Sequence, residues 1–405
     1  MRIAIIGGGA SGLVTAYLLD KQGHHVTVFE KQPILGGHIR TLNKNVQSDG
    51  IECNEFLEGG VLEFPSNFYH FLNLMKDLGV DLEPVDLGST MFFKNGHHIH
   101  SATAIRKNFT GIRRIIEYLK LDGLYARSAG FCLKTHFAQM PEVYNRPLSY
   151  YLRRECPRNI WIKLLSMYSY SMQFELIDDF PAELGILSLR DYIFTDWFRI
   201  KGGVYSYVEK ILQHFKGEIR LNVNVTDISR VGDTVKIELS DGATYGFDGV
   251  VFATPPDRVL KLLLDPTEAE IKRFSAWENN QIVTLIHTDT SMYNRYGIKQ
   301  PSEFDFFQTA KGWGYNAYLN QLCGVLSNDV QYNLAFNLES LINRDKIIQS
   351  LEHDTPLYTV ESFRYRDEIV DTNGENHTYH AGAYLGDGLH EGAIASAIRV
   401  AKLIG

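Results

Sequence analysis

Four of the five residues from Arg2 to Ile6 are apolar, which predicts a buried strand. A glycine-rich turn follows. A helix comes next, with Leu13, Ala16, Tyr17 and Leu19 on its apolar face. Val26, Thr27, Val28 and Phe29 predict a second strand that ends at Glu30. The three elements make a βαβ unit with a short crossover. Further along, Val223–Ile228, Thr234–Leu239 and Thr244–Ala253 read as strands, with Asp241–Gly242 as a hairpin turn between the last two. A closing helix covers about Glu391 to Leu403, and its alanines suit close packing. Between these blocks, residues 101–200 are rich in aromatics and read mostly as helices. Residues 276–340 hold β-rich runs such as Gln281–His287. There is no internal repeat and no low-complexity linker.

The turn after the first strand, Gly7-Gly8-Gly9-Ala10-Ser11-Gly12, fits G-x-G-x-x-G. It follows a strand, opens a helix and precedes an acid, Glu30, at the second strand's end. In that setting each part has a physical task. Gly7 permits a tight turn, Gly9 lets backbone approach a pyrophosphate, and Gly12 lets helix and strand pack closely. The helix N-terminus offers free N–H groups to phosphates. Glu30 can accept from both ribose hydroxyls and repels a 2′-phosphate, which disfavours NADP. After Lys31, a second glycine pair, Gly36-Gly37-His38, continues the backbone surface, as an extended cofactor such as FAD needs. No second G-x-G-x-x-G occurs, which argues against separate FAD and NAD(P)H domains.

Length and charge narrow the picture. A chain of 405 residues suits two domains or so, at roughly 100–200 residues each. Forty basic and 48 acidic side chains give a net charge of −8, which argues against a nucleic-acid binder. Cys53, Cys132, Cys156 and Cys323 lie far apart with no metal-ligand spacing, so neither a disulfide framework nor a metal site is expected, and a reducing cytoplasm fits. The apolar opening from Ile3 to Leu19 is broken by glycines and lacks a cleavage pattern, so it is not read as a signal peptide. Residues 101–160 carry eleven Lys or Arg and four Asp or Glu, a balance of +7. Within them Ile105–Leu121 interleaves cations with large apolar residues. It reads either as a helix with a solvated basic face or as a peripheral membrane contact beside a substrate entrance.

At this point the chain resembles the flavin-containing amine oxidase and phytoene desaturase superfamily. The segments that carry the likeness are Ile3–Glu30, Gly36–Thr41, Val223–Ile228 with Phe247–Pro256, and Tyr379–Ala397. Within that superfamily it most resembles bacterial FAD proteins associated with cyclopropane fatty acid synthases, and polyunsaturated fatty acid isomerases. The resemblance implies an α/β fold: a Rossmann-like FAD-binding domain of the glutathione-reductase-2 type with an inserted α+β substrate domain. The FAD domain is expected from 1–95, 200–275 and 360–405, and the substrate domain from 96–199 and 276–359. By the same resemblance, Ser11, Glu30, Lys31 and His38 hold the adenosine and pyrophosphate, with Ala10 in the same turn. Gly59, Gly60 and Val61 lie along the flavin ring, and Val225 meets adenine through its backbone. The last helix, starting near Leu389 and His390 with Ala393 in its first turn, aims its N-terminus at the flavin pyrimidine, where reduced flavin gathers negative charge.

Several positions depart from the family pattern. His38 stands where Gly-Gly-Arg is usual. The acid that often follows the C-terminal Ala381-Gly382 pair is replaced by Ala383 and Tyr384, with Asp387 the nearby substitute. Leu389 stands where amine oxidases often place an aromatic. Gln281–Ile286 carries no lysine, and no cysteine matches a covalent flavin attachment. These absences turn the expectation toward a hydrophobic substrate, an acyl chain or polyene, that gives a hydride to flavin N5. A redox-neutral isomerase of unsaturated lipids and an amine oxidase are the alternatives. Phe131, Trp161, Tyr168, Tyr170, Phe174, Phe194, Trp197 and Phe198 are candidate pocket lining. His38, His97, His98, His100, His287, His380 and His390, then Tyr384 and Tyr315, are candidate acids or bases. None is nominated as catalytic, and the oligomeric state is not legible.

Overall fold

The computed structural model describes residues 1–48, 50–52, 55–122, 144–152, 160–186, 195–298, 300–326 and 330–405. Cys53, Cys132, Cys156, Phe131, Phe194 and the 123–143 and 153–159 parts of the basic segment lie outside the described residues.

The opening strand is Arg2–Ile6, the helix after it Ala10–Lys21 and the next strand His25–Phe29. Ile3, Ala4 and Ile5 are wholly buried, as a central parallel strand covered on both faces requires. Five strands form a parallel sheet in the order Thr378–His380, Gly249–Phe252, Arg2–Ile6, His25–Phe29, Glu218–Arg220. Ile3 lies opposite both Gly249 and Val26. Strands from the two ends and the middle of the chain therefore share one sheet. The last helix, His390–Ile404, packs along the first: Ala397, Val400 and Ala401 are buried with Ala16 and Leu19. Small side chains there let the two backbones approach.

The run expected as one strand, Thr244–Ala253, is two. Thr244–Phe247 pairs with Thr234–Leu239 in a three-stranded antiparallel sheet, and Gly249–Phe252 pairs with the first strand. Asp248 makes the break: its carboxylate accepts the N–H of Arg2 at 2.7 Å, and its own N–H donates to the Arg2 carbonyl at 2.8 Å. That exchange locks the chain as it passes from one sheet to the other.

A seven-stranded mixed sheet stands over this layer, in the order Ile347–Pro356, Asn279–His287, Asn333–Phe336, Gly312–Tyr318, Phe304–Thr309, Ser89–Phe92, His98–His100. Hydrogen bonding thus carries Ser89–Phe92 into the sheet built from residues 279–356, although a division at residue 95 sets it on the cofactor side. The 101–200 region holds helices at Ala102–Asn108 and Ile160–Tyr170 and a helical stretch at 111–122. Trp197–Ile200 is a strand instead, paired with Phe64–Pro65 and Leu82–Val85. Alternation of large apolar residues at the end of a helical region gives no period that would have revealed it.

Candidate cofactor site

The glycine turn is tight because backbone fills the space beside it. Gly7 donates to the Phe29 carbonyl at 2.8 Å and sits at φ +112°. A Cβ on Gly7 would press on the Ala253 carbonyl, and one on Gly12 would overlap the Gly7 carbonyl. Gly9 differs. It caps the first helix with extended backbone and no side-chain cap, and the nearest atom to a Cβ there is Gly37 Cα at 3.7 Å. The first-turn N–H groups of Ala10, Ser11 and Gly12 have no partner in the helical pattern. The second glycine turn docks on this one: Gly36 donates to the Gly8 carbonyl at 2.8 Å, and Gly36 and Gly37 take positive φ. An uncapped helix start beside two glycine turns is a cradle that fits a diphosphate.

Glu30 is buried at the end of the second strand. One carboxylate oxygen accepts from Gly8 N at 2.7 Å and the other from Gln32 N at 2.8 Å, which leaves each oxygen one further acceptor site. The carbonyl of Glu30 accepts from Val223 N, and this aligns the segment leading to Val225 beside it. Lys31 turns to the surface and pairs with Asp354 at 3.3 Å. His38 contacts the Asp354 carbonyl through Nε2 at 3.0 Å, and burial, aided by the Arg40 charge, pushes its pKa down. An imidazole with a lowered pKa does not supply the fixed charge of the expected arginine. The cation lies two residues on. Arg40 has a buried Nη1 with no hydrogen-bond partner among the described residues, and its guanidinium feels the charge of Glu30. Sequence reasoning passed over Arg40 because it looked for the charge only at position 38.

The 58–61 arm is fixed between layers. Gly59 donates to the Arg40 carbonyl at 2.7 Å and accepts at its own carbonyl from Thr284 Oγ1 at 2.7 Å. Thr284 stands on the very strand that lacks the family's lysine. A Cβ on Gly60 would overlap the His38 carbonyl. Glu58 accepts from Val204 N at 2.6 Å and Thr41 Oγ1 at 2.8 Å, while burial pushes its pKa up to about 8. Val61 is partly buried on the same arm.

At the C-terminal motif, Gly382 donates to Ser396 Oγ at 2.9 Å. Asp387 is enclosed, and one oxygen accepts from both Leu389 N and Gly392 N at 2.8 Å. Asp387 thus caps the last helix with that oxygen. Burial raises its pKa to about 6. The His390 ring sits in an aromatic nest of Phe64, Phe71 and Tyr207, bonded to Tyr207 Oη at 2.9 Å. Burial lowers its pKa to about 4, which leaves only its backbone to serve a ligand at the helix start. Ala393 is buried one turn in.

Above the arm lies a group that the sequence did not single out. Tyr168 donates to Glu63, whose other oxygen is buried and has no partner among the described residues. Burial pushes the Glu63 pKa up to about 7. Tyr168 packs edge-on to Tyr315 at 5.1 Å between ring centres and lies 4.4 Å from Phe304. Glu63 stands three residues past Gly60, and only pairing across layers reveals it. The other histidines do not converge here. His100 bonds Thr90, His287 bonds Asn316, and His380 stacks on Phe252. Trp161 and Phe174 pack on the main core, Trp197 and Phe198 pair in the three-stranded sheet, and Tyr170 donates to the Asp387 carbonyl at 2.8 Å.

Sheet, cradle and buried acid define a dinucleotide-binding protein of the Rossmann type. Residues 10–288 match the flavin containing amine oxidoreductase family, and the chain belongs to it; its cofactor is FAD. A 4,4'-diapophytoene desaturase (4,4'-diaponeurosporene-forming) of Staphylococcus aureus is 47% identical over 316 residues, which are 68% of this chain and 59% of the desaturase. The chain thus spans less than two thirds of that relative. Polyamine oxidase 4 of Oryza sativa subsp. japonica is 24% identical over 384 residues, 87% of this chain and 72% of the oxidase. The crystal structure of a CLA-producing fatty acid isomerase from P. acnes shares the fold, with a TM-score of 0.69 at 16% identity over 100% of this chain and 97% of that one.

Proposed function

We propose that the protein is an FAD-dependent oxidoreductase acting on a hydrophobic substrate, an acyl chain or polyene. The observation that carries this reading is the group of Tyr168, Tyr315 and Phe304 beside the 59–63 arm, where burial raises the pKa of Glu63 to about 7, so that about half of its carboxyl is uncharged at neutrality. A desaturase and a fatty acid isomerase among the similar proteins support it.

In this reading the Gly9 turn, the first helix start and Arg40 hold the diphosphate, and Glu30 with the 223–225 backbone holds the adenosine. Gly59, Gly60, Val61 and the start of the last helix line the ring, and Gly382 and Asp387 the ribityl chain. Bound FAD supplies a two-electron acceptor for a hydride from a substrate carbon. The aromatic wall excludes water and positions an apolar chain by burial, at about 0.8 kcal/mol per methylene. Tyr168 keeps its proton directed at Glu63, so the acid presents one unpaired oxygen to the site.

A second reading, amine oxidation, is favoured by the same carboxyl, since an ionised Glu63 between tyrosine rings would attract a cationic amine. Anaerobic mixing separates the two. Bleaching of the visible flavin band by fatty acids or polyenes supports the first reading. Bleaching by polyamines alone, with peroxide released in air, supports the second. Product mass then divides the first reading: loss of two hydrogens marks a dehydrogenase, unchanged mass an isomerase.

A further inference from the structure

The helical stretch 111–122 lies on the protein with its apolar side outward. Its inner side carries Arg114, Glu117, Tyr118 and Leu121, all buried or half-buried. Ile112, Ile115, Ile116 and Leu119 face solvent at 75%, 60%, 47% and 67% exposure. Their spacing of three, one and three residues sets them in a single stripe. A helix that merely covers a core does the reverse. Polar contacts hold the inner side. Lys120 donates to Glu117 at 2.6 Å, and Arg114 donates to the carbonyls of Phe109 at 2.7 Å and Arg106 at 2.9 Å.

Cations flank the stripe. Residues 101–122 hold Arg106, Lys107, Arg113, Arg114 and Lys120 against Glu117 and Asp122, so 5 − 2 gives +3, and the rest of the chain carries −8 − 3 = −11. Lys107 pairs with Glu303 and Lys120 with Glu117. Arg113 is exposed beside the stripe and Arg106 donates to the neutral Thr103 hydroxyl, and among the described residues no carboxylate pairs with either.

We propose that this stripe seats in the headgroup–acyl boundary of an anionic lipid bilayer. Four large aliphatic side chains enter the acyl edge while the flanking arginines meet anionic headgroups. A second copy suits the surface poorly, because its cationic flank would face an identical one. The inference goes beyond the flavin reading and is measured by binding alone, so it stands or falls separately.

The test is co-sedimentation of the full chain with extruded vesicles, of phosphatidylcholine alone and of phosphatidylcholine mixed with phosphatidylglycerol. Binding is expected on the mixed vesicles, weaker at high salt, and at least about tenfold weaker on phosphatidylcholine alone. The variant Ile112→Gln, Ile116→Gln, Leu119→Gln should lose about tenfold or more, and Arg113→Gln about fivefold, with thermal midpoints unchanged because these side chains are exposed. Wild-type protein that stays in the supernatant with mixed vesicles overturns the proposal. If it then runs as a dimer that the triple variant dissolves, the occupant is a second copy. Equal vesicle binding by wild type and triple variant overturns it too.

Discussion

Gly36 donates its N–H to the carbonyl of Gly8 at 2.8 Å, so two glycine turns 28 residues apart form one continuous backbone surface. The surface distinguishes glycines that the fold needs from one that it does not. Gly12 has the Gly7 carbonyl where a Cβ would stand, whereas Gly9 has ordinary negative φ and nothing nearer than 3.7 Å. Gly9→Ala should therefore keep its thermal midpoint in the flavin-free state yet purify without the yellow colour. Gly12→Ala should lose stability outright, by about 2 kcal/mol or more. Chemical denaturation of apoprotein beside flavin content checks both. Flavin retained by Gly9→Ala would remove the diphosphate from this turn.

Arg40 is a half-buried cation whose buried Nη1 lacks a hydrogen-bond partner among the described residues, and His38, with its lowered pKa, is a poor replacement. A charge-assisted hydrogen bond to a phosphate is worth about 1.5–3 kcal/mol, so Arg40→Gln should weaken FAD binding about ten- to a hundredfold. Fluorescence titration of apoprotein with FAD measures this. Riboflavin, which lacks the diphosphate, should bind wild type and variant alike.

Residues close in sequence were legible, and those brought together by folding were not. The first strand, turn, helix and Glu30 are a local pattern whose hydrophobic period and glycine spacing have one physical solution, and they fold as read. The break at Asp248 was hidden because Thr244–Ala253 is β-prone throughout and only its exchange with Arg2 divides it. His390 looked like an acid–base candidate until its aromatic nest came from residues 64, 71 and 207. Glu63 was passed over because its partner, Tyr168, is 105 residues away.

Glu58 gives the fold a pH dependence of known sign. Its pKa is raised from 4.5 to about 8 by burial, so the folded state holds a proton that the unfolded state releases above 4.5. The stabilisation is complete below pH 4.5 and is lost as pH rises through about 8. Glu58→Gln keeps an acceptor for Val204 N without ionising. Between pH 5 and 8 the wild type should lose more thermal stability than the variant, by on the order of 1–3 kcal/mol. Parallel melting curves across that range would exclude a buried proton on Glu58.

Glu63 lets pH discriminate between the two substrate classes. Below a pKa of about 7 its carboxyl is neutral, and an apolar chain can lie against it at little cost. Above that value the charge must be kept solvated or paired, which an apolar chain cannot do. Affinity for an acyl chain or polyene should thus fall about tenfold as pH rises through 7, if the charge costs about 1.4 kcal/mol. An amine shows the opposite slope, gaining a counter-ion as the carboxyl ionises. Glu63→Gln should flatten either profile, whereas Tyr168→Phe, which removes the hydroxyl that favours the ionised form, should move the midpoint to higher pH. Ligand binding followed by flavin absorbance from pH 6 to 9 supplies the measurement. A profile unchanged in both variants would place the substrate away from the 59–63 arm.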